Sequence, residues 1–259
     1  MAPSVQRAVL FDLDGTVVHT APDLAGAAND MRQARGLPAL PEAELAPFCS
    51  YGGRGMIGKA FERAPGDDGY DALIKEFMTT YEERMTRASH PYEGIRELVS
   101  QLAADGIRWG IVTNKPEYMA VPLMDHLAFD PAAGCVIGGD TAGVSKPNPA
   151  PIYLACERMG LAPAHCIYVG DSDRDIAAGH AAGAAAFSAM KLPTWLLNTV
   201  PPNSAQNTSS PNPKYTHTLF CGPAGSHGQS APEAANWTAP GSRTASVTPP
   251  LSPWRSEYV

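Results

Sequence analysis

The sequence predicts an α/β fold: a Rossmann-like, parallel-sheet core with an all-helical insertion. Three observations carry this expectation. A short apolar run stops at Asp-Gly near the N-terminus. Helical patterning alone fills the next ~70 residues. From Pro91 onward, short apolar runs alternate with helix-length segments closed by glycine, the rhythm of parallel strands with helices on both faces.

In chain order, RAVLFD from Arg7 to Asp12 reads as a buried strand. A helix is expected from Pro22 to Arg35, with Thr20 as N-cap and Gly36 as its stop. Between Pro41 and Ala88 the pattern stays helical, as in YDALIKEF from Tyr70, and is broken by the glycine-rich Tyr51-Gly52-Gly53-Arg54-Gly55. Glu93–Asp105 is a predicted helix ended by Gly106, followed by a strand over Ile107–Thr113. A helix opens after Lys115 with Pro116 in its first turn. Ala133–Gly138 is a short strand, Asn148–Met159 a helix and His165–Gly170 a strand. Ser172–Ala182 is a helix stopped by Gly183, and Ala184–Ala189 a last strand. The expected division is a core of residues 1–16 and 90–190, a helical cap of residues 17–89, and an atypical tail of residues 191–259.

That tail holds Pro-Pro, Ser-Ser and Pro-Asn-Pro clusters, no Asp and two Glu, Glu233 and Glu257. It cannot bury enough apolar surface to offset chain ordering, so it is expected to be disordered. It accounts for much of the high proline content, 25 of 259 residues, and of the low charged fraction of 17%, against ordinary values of ~5% and ~25%. A net charge of −7 disfavours nucleic acid as a partner. No apolar run reaches the ~18 residues of a membrane span, and the N-terminus lacks the pattern of a secretory leader. Five cysteines without a C-x-x-C pair read as free thiols in a reducing cytoplasm. The expected state is monomer or homodimer.

Three predicted strands end in polar clusters: Asp12-Leu13-Asp14-Gly15-Thr16, Thr113-Asn114-Lys115, and Gly170-Asp171-Ser172-Asp173-Arg174-Asp175. Lys146 lies in Ser145-Lys146-Pro147-Asn148-Pro149, before a helix. In an open parallel sheet all of these fall on the carboxyl edge, where ligands bind. Together they suit phosphoryl transfer. A carboxylate such as Asp12 is a nucleophile able to form an aspartyl-phosphate. Asp14, two residues on, would protonate the leaving oxygen and later deprotonate water. Thr113 and Asn114 would hold the phosphate oxygens and Lys146 would neutralise charge. Carboxylates converging on a dianionic ester need a hard cation, and Mg²⁺ held by Asp12, Asp171 and the main-chain carbonyl of Asp14 meets that need. Lys115, Asp173 and Arg174 read as surface residues, Cys156 and Cys166 as core.

The ordered set DLDGTVVHTAPDL, IVTNKP, VIGGD, SKPNPAP, ACERMGLAP and VGDSDRDIAAGHAAG resembles the haloacid dehalogenase superfamily of phosphatases over about Arg7 to Ala189, and within it the phosphoglycolate phosphatases. The resemblance implies Asp12 as nucleophile, Asp14 as acid/base, Thr113 and Lys146 as phosphate holders, Asp171 as magnesium ligand and Asp175 as support for the metal. It implies a magnesium-dependent hydrolase of a small phosphate ester, with 2-phosphoglycolate leading. Arg54, on the cap loop, would pair with a substrate carboxylate. The stretches MRQARGLPAL, YGGRGM and EFMTTYEERM are also similar to phosphatases of N-acetylmuramic acid 6-phosphate. A phosphomutase with the same core and cap is a further alternative. A phospho-signalling receiver domain is disfavoured, because it tolerates no long insertion after its first strand. Two departures stand out: His19 where relatives carry Asp, and a sequence after Met190 that lacks the family's closing strand and helix, as a shifted reading frame or an appended extension would produce.

Overall fold

The computed structural model describes residues 7–189. The expected disordered segment lies outside the described residues.

The first strand, β1 (Ala8–Phe11), is followed by β2 (Val18–His19) and helix α1 (Ala21–Ala34). Then come α2 (Glu42–Leu45), a 3-10 turn (Ala46–Tyr51), α3 (Gly52–Phe61), α4 (Tyr70–Glu82) and β3 (His90–Pro91). The alternating part comprises α5 (Ile95–Ala104), β4 (Arg108–Val112), α6 (Glu117–Leu127), β5 (Val136–Ile137), α7 (Ala150–Arg158), β6 (Cys166–Gly170), α8 (Asp173–Ala182) and β7 (Ala185–Ser188).

Five strands form one parallel sheet in the order β5-β4-β1-β6-β7. β1 lies in the middle because it is apolar on both faces. Val9 and Phe11 point into one layer with Trp109, Ile111, Leu98, Val99 and Leu123. Ala8 and Leu10 point into the other with Val112, Tyr168, Ile152 and Ala178. This is the period-2 alternation of a strand covered on both sides. The order places the ends of β4, β1 and β6 side by side, at the point where the chain crosses from one half of the sheet to the other.

The insertion has its own apolar cluster, built from Leu24, Met31, Leu45, Met56, Ile57, Phe77 and Tyr81. Met119, from α6 of the core, packs into it. The insertion is helical from α1 to α4, but its two connections pair as an antiparallel ribbon, with Val18 opposite Pro91 and His19 opposite His90. The His19 and His90 rings stack at 5.2 Å. Two-residue strands carry no readable period, so sequence patterning does not separate them from the helices. Val17 and Val18, expected within the cap, pack into the core layer.

Other boundaries move for local reasons. Helix α7 starts at Ala150 rather than Asn148, because Pro149 disfavours helical geometry at the residue before it. The Asn148 side chain instead accepts from the Ala150 N–H at 2.9 Å. Helix α5 starts after Gly94, whose φ of 82° is left-handed. β5 shrinks to two residues at the sheet edge, where β4 is its one partner.

Candidate active site

Asp12 follows β1, and its N–H donates to Val169 O at 2.8 Å, so ladder pairing carries it onto the carboxyl edge between β4 and β6. Thr113 follows β4, its N–H bonded to Ile137 O at 2.9 Å. Asp171 follows β6. The sheet order thus brings together Asp12, Thr113 and Asp171, and the loop after β5 adds Lys146.

Lys146 is the electrostatic centre, only 3% exposed. Its Nζ donates to Val112 O (2.9 Å), Tyr168 Oη (2.8 Å) and Asp175 Oδ1 (2.6 Å). These acceptors use its three protons. A fourth oxygen, Asp12 Oδ1, lies 2.9 Å away and forms an ion pair with the ammonium. Burial works against the Lys146 charge, but Asp12 and Asp175 outweigh it and hold the ammonium above the ordinary lysine range. Burial pushes the Asp12 carboxyl up to about 6, with Lys146 opposing and Asp175 adding to the rise. Burial also acts on Asp175, yet Lys146 and the Ser172 donors overcome it and keep Asp175 below the usual carboxylate range.

The side chain of Asn114 ties the Lys146 loop to the sheet edge. Its Nδ2 donates to Lys146 O (3.0 Å) and its Oδ1 accepts from Lys146 N (2.9 Å). The amide buckles the Lys146 loop to the end of β4. Asp175 is likewise structural: besides Lys146, it accepts from Ser172 N (3.0 Å) and Ser172 Oγ (2.6 Å) at the start of α8, the reach-back of a capping box. It pairs with Lys146 rather than with neighbouring Arg174.

The remaining carboxylate oxygens point to a cation. Oxygens of Asp12, Asp171 and Asp175 lie within 4.8 Å of one another. Those of Asp175 are taken and Asp12 Oδ1 is paired with Lys146, whereas Asp171 Oδ1 is buried without a hydrogen-bond partner. Burial raises the Asp171 carboxyl, partly countered by a hydrogen bond from Ser50. A buried, unpartnered oxygen on Asp171 beside the Asp12 and Asp175 carboxylates fits a hard divalent ion. Gly15 keeps the approach open, since a Cβ there would collide with Asp171 Oδ2.

Lys115 corrects the expectation of an exposed lysine. It is 7% exposed, and its Nζ lies 3.0 and 3.1 Å from the two Asp14 oxygens and 2.9 Å from Tyr81 Oη on α4. Burial opposes its charge, but Asp14 and Tyr81 hold it above the ordinary lysine range; burial pushes the Tyr81 phenol up to about 12. Arg174 is also more than a surface residue. It donates to Ser50 O, and its guanidinium lies 5.4 Å from the Tyr51 ring centre. Ser50 Oγ donates to Asp171 Oδ2 at 2.8 Å. Asp173 is exposed, as expected. Arg54 is exposed in the first turn of α3, where its charge acts on the Tyr70 phenol.

The family known as haloacid dehalogenase-like hydrolase matches residues 9–189, a span that holds every group described above. The chain belongs to that family. Among its relatives, the phosphoglycolate phosphatase of Xanthomonas campestris pv. campestris is 41% identical over 184 residues, covering 71% of this chain and 83% of the relative. The N-acetylmuramic acid 6-phosphate phosphatase of Pseudomonas aeruginosa is 38% identical over 177 residues, covering 68% and 78%. A crystal structure of a predicted phosphoglycolate phosphatase from Haemophilus somnus superposes with a TM-score of 0.61 at 31% identity, over 70% of this chain and 84% of that one. These likenesses make this haloacid dehalogenase-like hydrolase a phosphatase. Among the described residues no helix is long and apolar enough to cross a membrane.

Proposed function

We propose that the enzyme is a Mg²⁺-dependent phosphomonoesterase that works through an aspartyl-phosphate on Asp12, and that its substrate is 2-phosphoglycolate. The observation that carries this reading is the buried, unpartnered Asp171 oxygen clustered with the Asp12 carboxylate, which the Lys146 ammonium pairs.

The chemistry follows from the residues. Thr113 and Lys146 hold the phosphoryl oxygens. A carboxylate oxygen of Asp12 attacks phosphorus as the ester P–O bond breaks, and Asp14 gives its proton to the leaving oxygen. Asp14, now a carboxylate, takes a proton from water as that water attacks the phosphorus of the aspartyl-phosphate. Phosphate leaves and the Asp12 carboxylate is restored. Asp12, Asp171 and the main-chain carbonyl of Asp14 would hold Mg²⁺, which supplies charge neutralisation for the ester. Asp175 and Asn114 fix Lys146. Arg54, just beyond Tyr51 on the cap, serves the substrate carboxylate.

A second reading, N-acetylmuramic acid 6-phosphate, draws on Tyr51. Its ring is 62% exposed and is held by Arg174 where insertion and core meet, a surface on which a sugar face can stack. The free thiols Cys49, Cys135, Cys156 and Cys166 favour the cytoplasm as the working compartment.

The test is phosphate release by the purified chain from both esters side by side, with and without a chelator. Chelator-sensitive release with preference for 2-phosphoglycolate is the expected result. Preference for the sugar ester selects the second reading. Isomerisation of a sugar phosphate without phosphate release would overturn both in favour of a mutase.

A further inference from the structure

A lysine ammonium buried between two layers is costly unless each face of it meets an acceptor. Lys115 satisfies this with partners from different parts of the molecule. Both oxygens of Asp14, just past β1, lie at hydrogen-bond distance from its Nζ. The third contact, Tyr81 Oη, comes from α4 of the insertion. Tyr81 is 2% exposed and its ring stacks on Phe77 at 6.0 Å with an interplanar angle of 6°, so the hydroxyl is aimed by packing. The Lys115 backbone is pinned as well, its N–H on Thr113 Oγ1 (3.1 Å) and its carbonyl accepting from Gly139 N (2.8 Å).

We propose that Lys115 is a positioning residue for Asp14, braced from the cap by Tyr81, and that this pair sets the rate for esters whose leaving oxygen must be protonated. The proposal rests on the reading of Asp14 as general acid. Asp14 stands on the turn at Gly15, beyond the support of the β1 ladder, so its carboxylate needs an anchor of its own, and the fork of contacts to one ammonium provides it. When Asp14 passes its proton to the leaving oxygen, the ammonium is already beside the carboxylate that forms, so no reorganisation is needed. Because the brace comes from α4, Asp14 is held this way only while the insertion is seated on the core.

The experiment compares an alkyl ester, 2-phosphoglycolate, with p-nitrophenyl phosphate, whose leaving group departs without a proton. Asp14→Asn is the reference. It is expected to lose ~10²–10⁴-fold in kcat on the alkyl ester and far less on the aryl ester. Lys115→Met is expected to show the same selective pattern, ~10²-fold against under about tenfold, with KM nearly unchanged. Tyr81→Phe, which removes one oxygen and keeps the ring stack, is expected to lose roughly tenfold on the alkyl ester alone, and it keeps the test open should Lys115→Met not fold. Equal losses on the two esters in Lys115→Met and Tyr81→Phe, or no loss in either, overturn the proposal while the Asp14 reading stands. An Asp14→Asn enzyme with no selective loss, or a wild type that hydrolyses neither ester, overturns the reading and the proposal with it.

Discussion

Replacing Lys146 by Met keeps an unbranched side chain, one atom shorter, and removes its charge. The oxygens of Asp12, Asp175, Val112 and Tyr168 then lose the cation they share. Asp175 is 0% exposed and Asp12 9%, so little water reaches them to take its place. Removing one partner of a buried pair costs about 3–5 kcal/mol, a large share of the ~5–15 kcal/mol that holds a domain together. The loss is expected to depend on pH. In the wild type the ammonium keeps Asp175 below the usual range. In the variant, burial and the repulsion between Asp12 and Asp175 act unopposed, so both folded-state carboxyls rise above their unfolded values near ~3.9. The folded variant then binds more protons than the unfolded chain, and its stability falls as pH rises through that interval and levels off above the raised values. Urea unfolding in chelator, at about pH 5 and about pH 8, reads this directly: the gap to wild type is expected to be larger at the higher pH. Adding Asp175→Asn to the variant is expected to recover part of the loss. A gap under about 1 kcal/mol, or one equal at both pH values, would refute the view of Lys146 as the cation that makes this carboxylate cluster stable.

Asp12→Asn is expected to raise metal-free stability by of order 1–3 kcal/mol near neutral pH, because burial holds the Asp12 carboxyl up at about 6 and its charge above that pH opposes folding; a lower melting temperature in chelator would contradict this. Magnesium affinity measured by calorimetry is expected to weaken below about pH 6, where Asp12 binds a proton in competition with the ion; an affinity flat through that range would place the ion elsewhere. Ser50→Ala and Arg174→Ala each remove a tie between insertion and core. At ~1 kcal/mol per hydrogen bond, each is expected to raise KM roughly fivefold with a smaller change in kcat, and unchanged KM values would deny that these ties hold the insertion down.

The residues that lie together at the carboxyl edge were legible because each ends a strand. Asp12, Thr113 and Asp171 follow apolar runs, and a parallel order makes their ends neighbours. The unbroken apolar run of β1 likewise announced a buried strand. What was not legible depends on packing between segments distant in sequence. Lys115 looks like a loop lysine until α4 brings Tyr81 to it, and Arg174 looks exposed until the turn carrying Ser50 and Tyr51 settles over it. One signal was present, since Lys115 directly follows Thr113-Asn114 on the edge where charged groups find partners. The Asn114 side chain was not legible in this way either: its donor and acceptor match the main chain of Lys146, 32 residues on. The β2–β3 ribbon is too short for any period to reveal.

Asp12 is the proposed nucleophile. Mixing enzyme, Mg²⁺ and 2-phosphoglycolate, quenching in acid within the first turnover and locating phosphoryl groups by peptide mass spectrometry tests it most directly. A phosphoryl group is expected on the peptide containing Asp12, and it is expected to be absent from Asp12→Asn along with all turnover. Phosphate release that persists in Asp12→Asn, or a label on another residue, would contradict it.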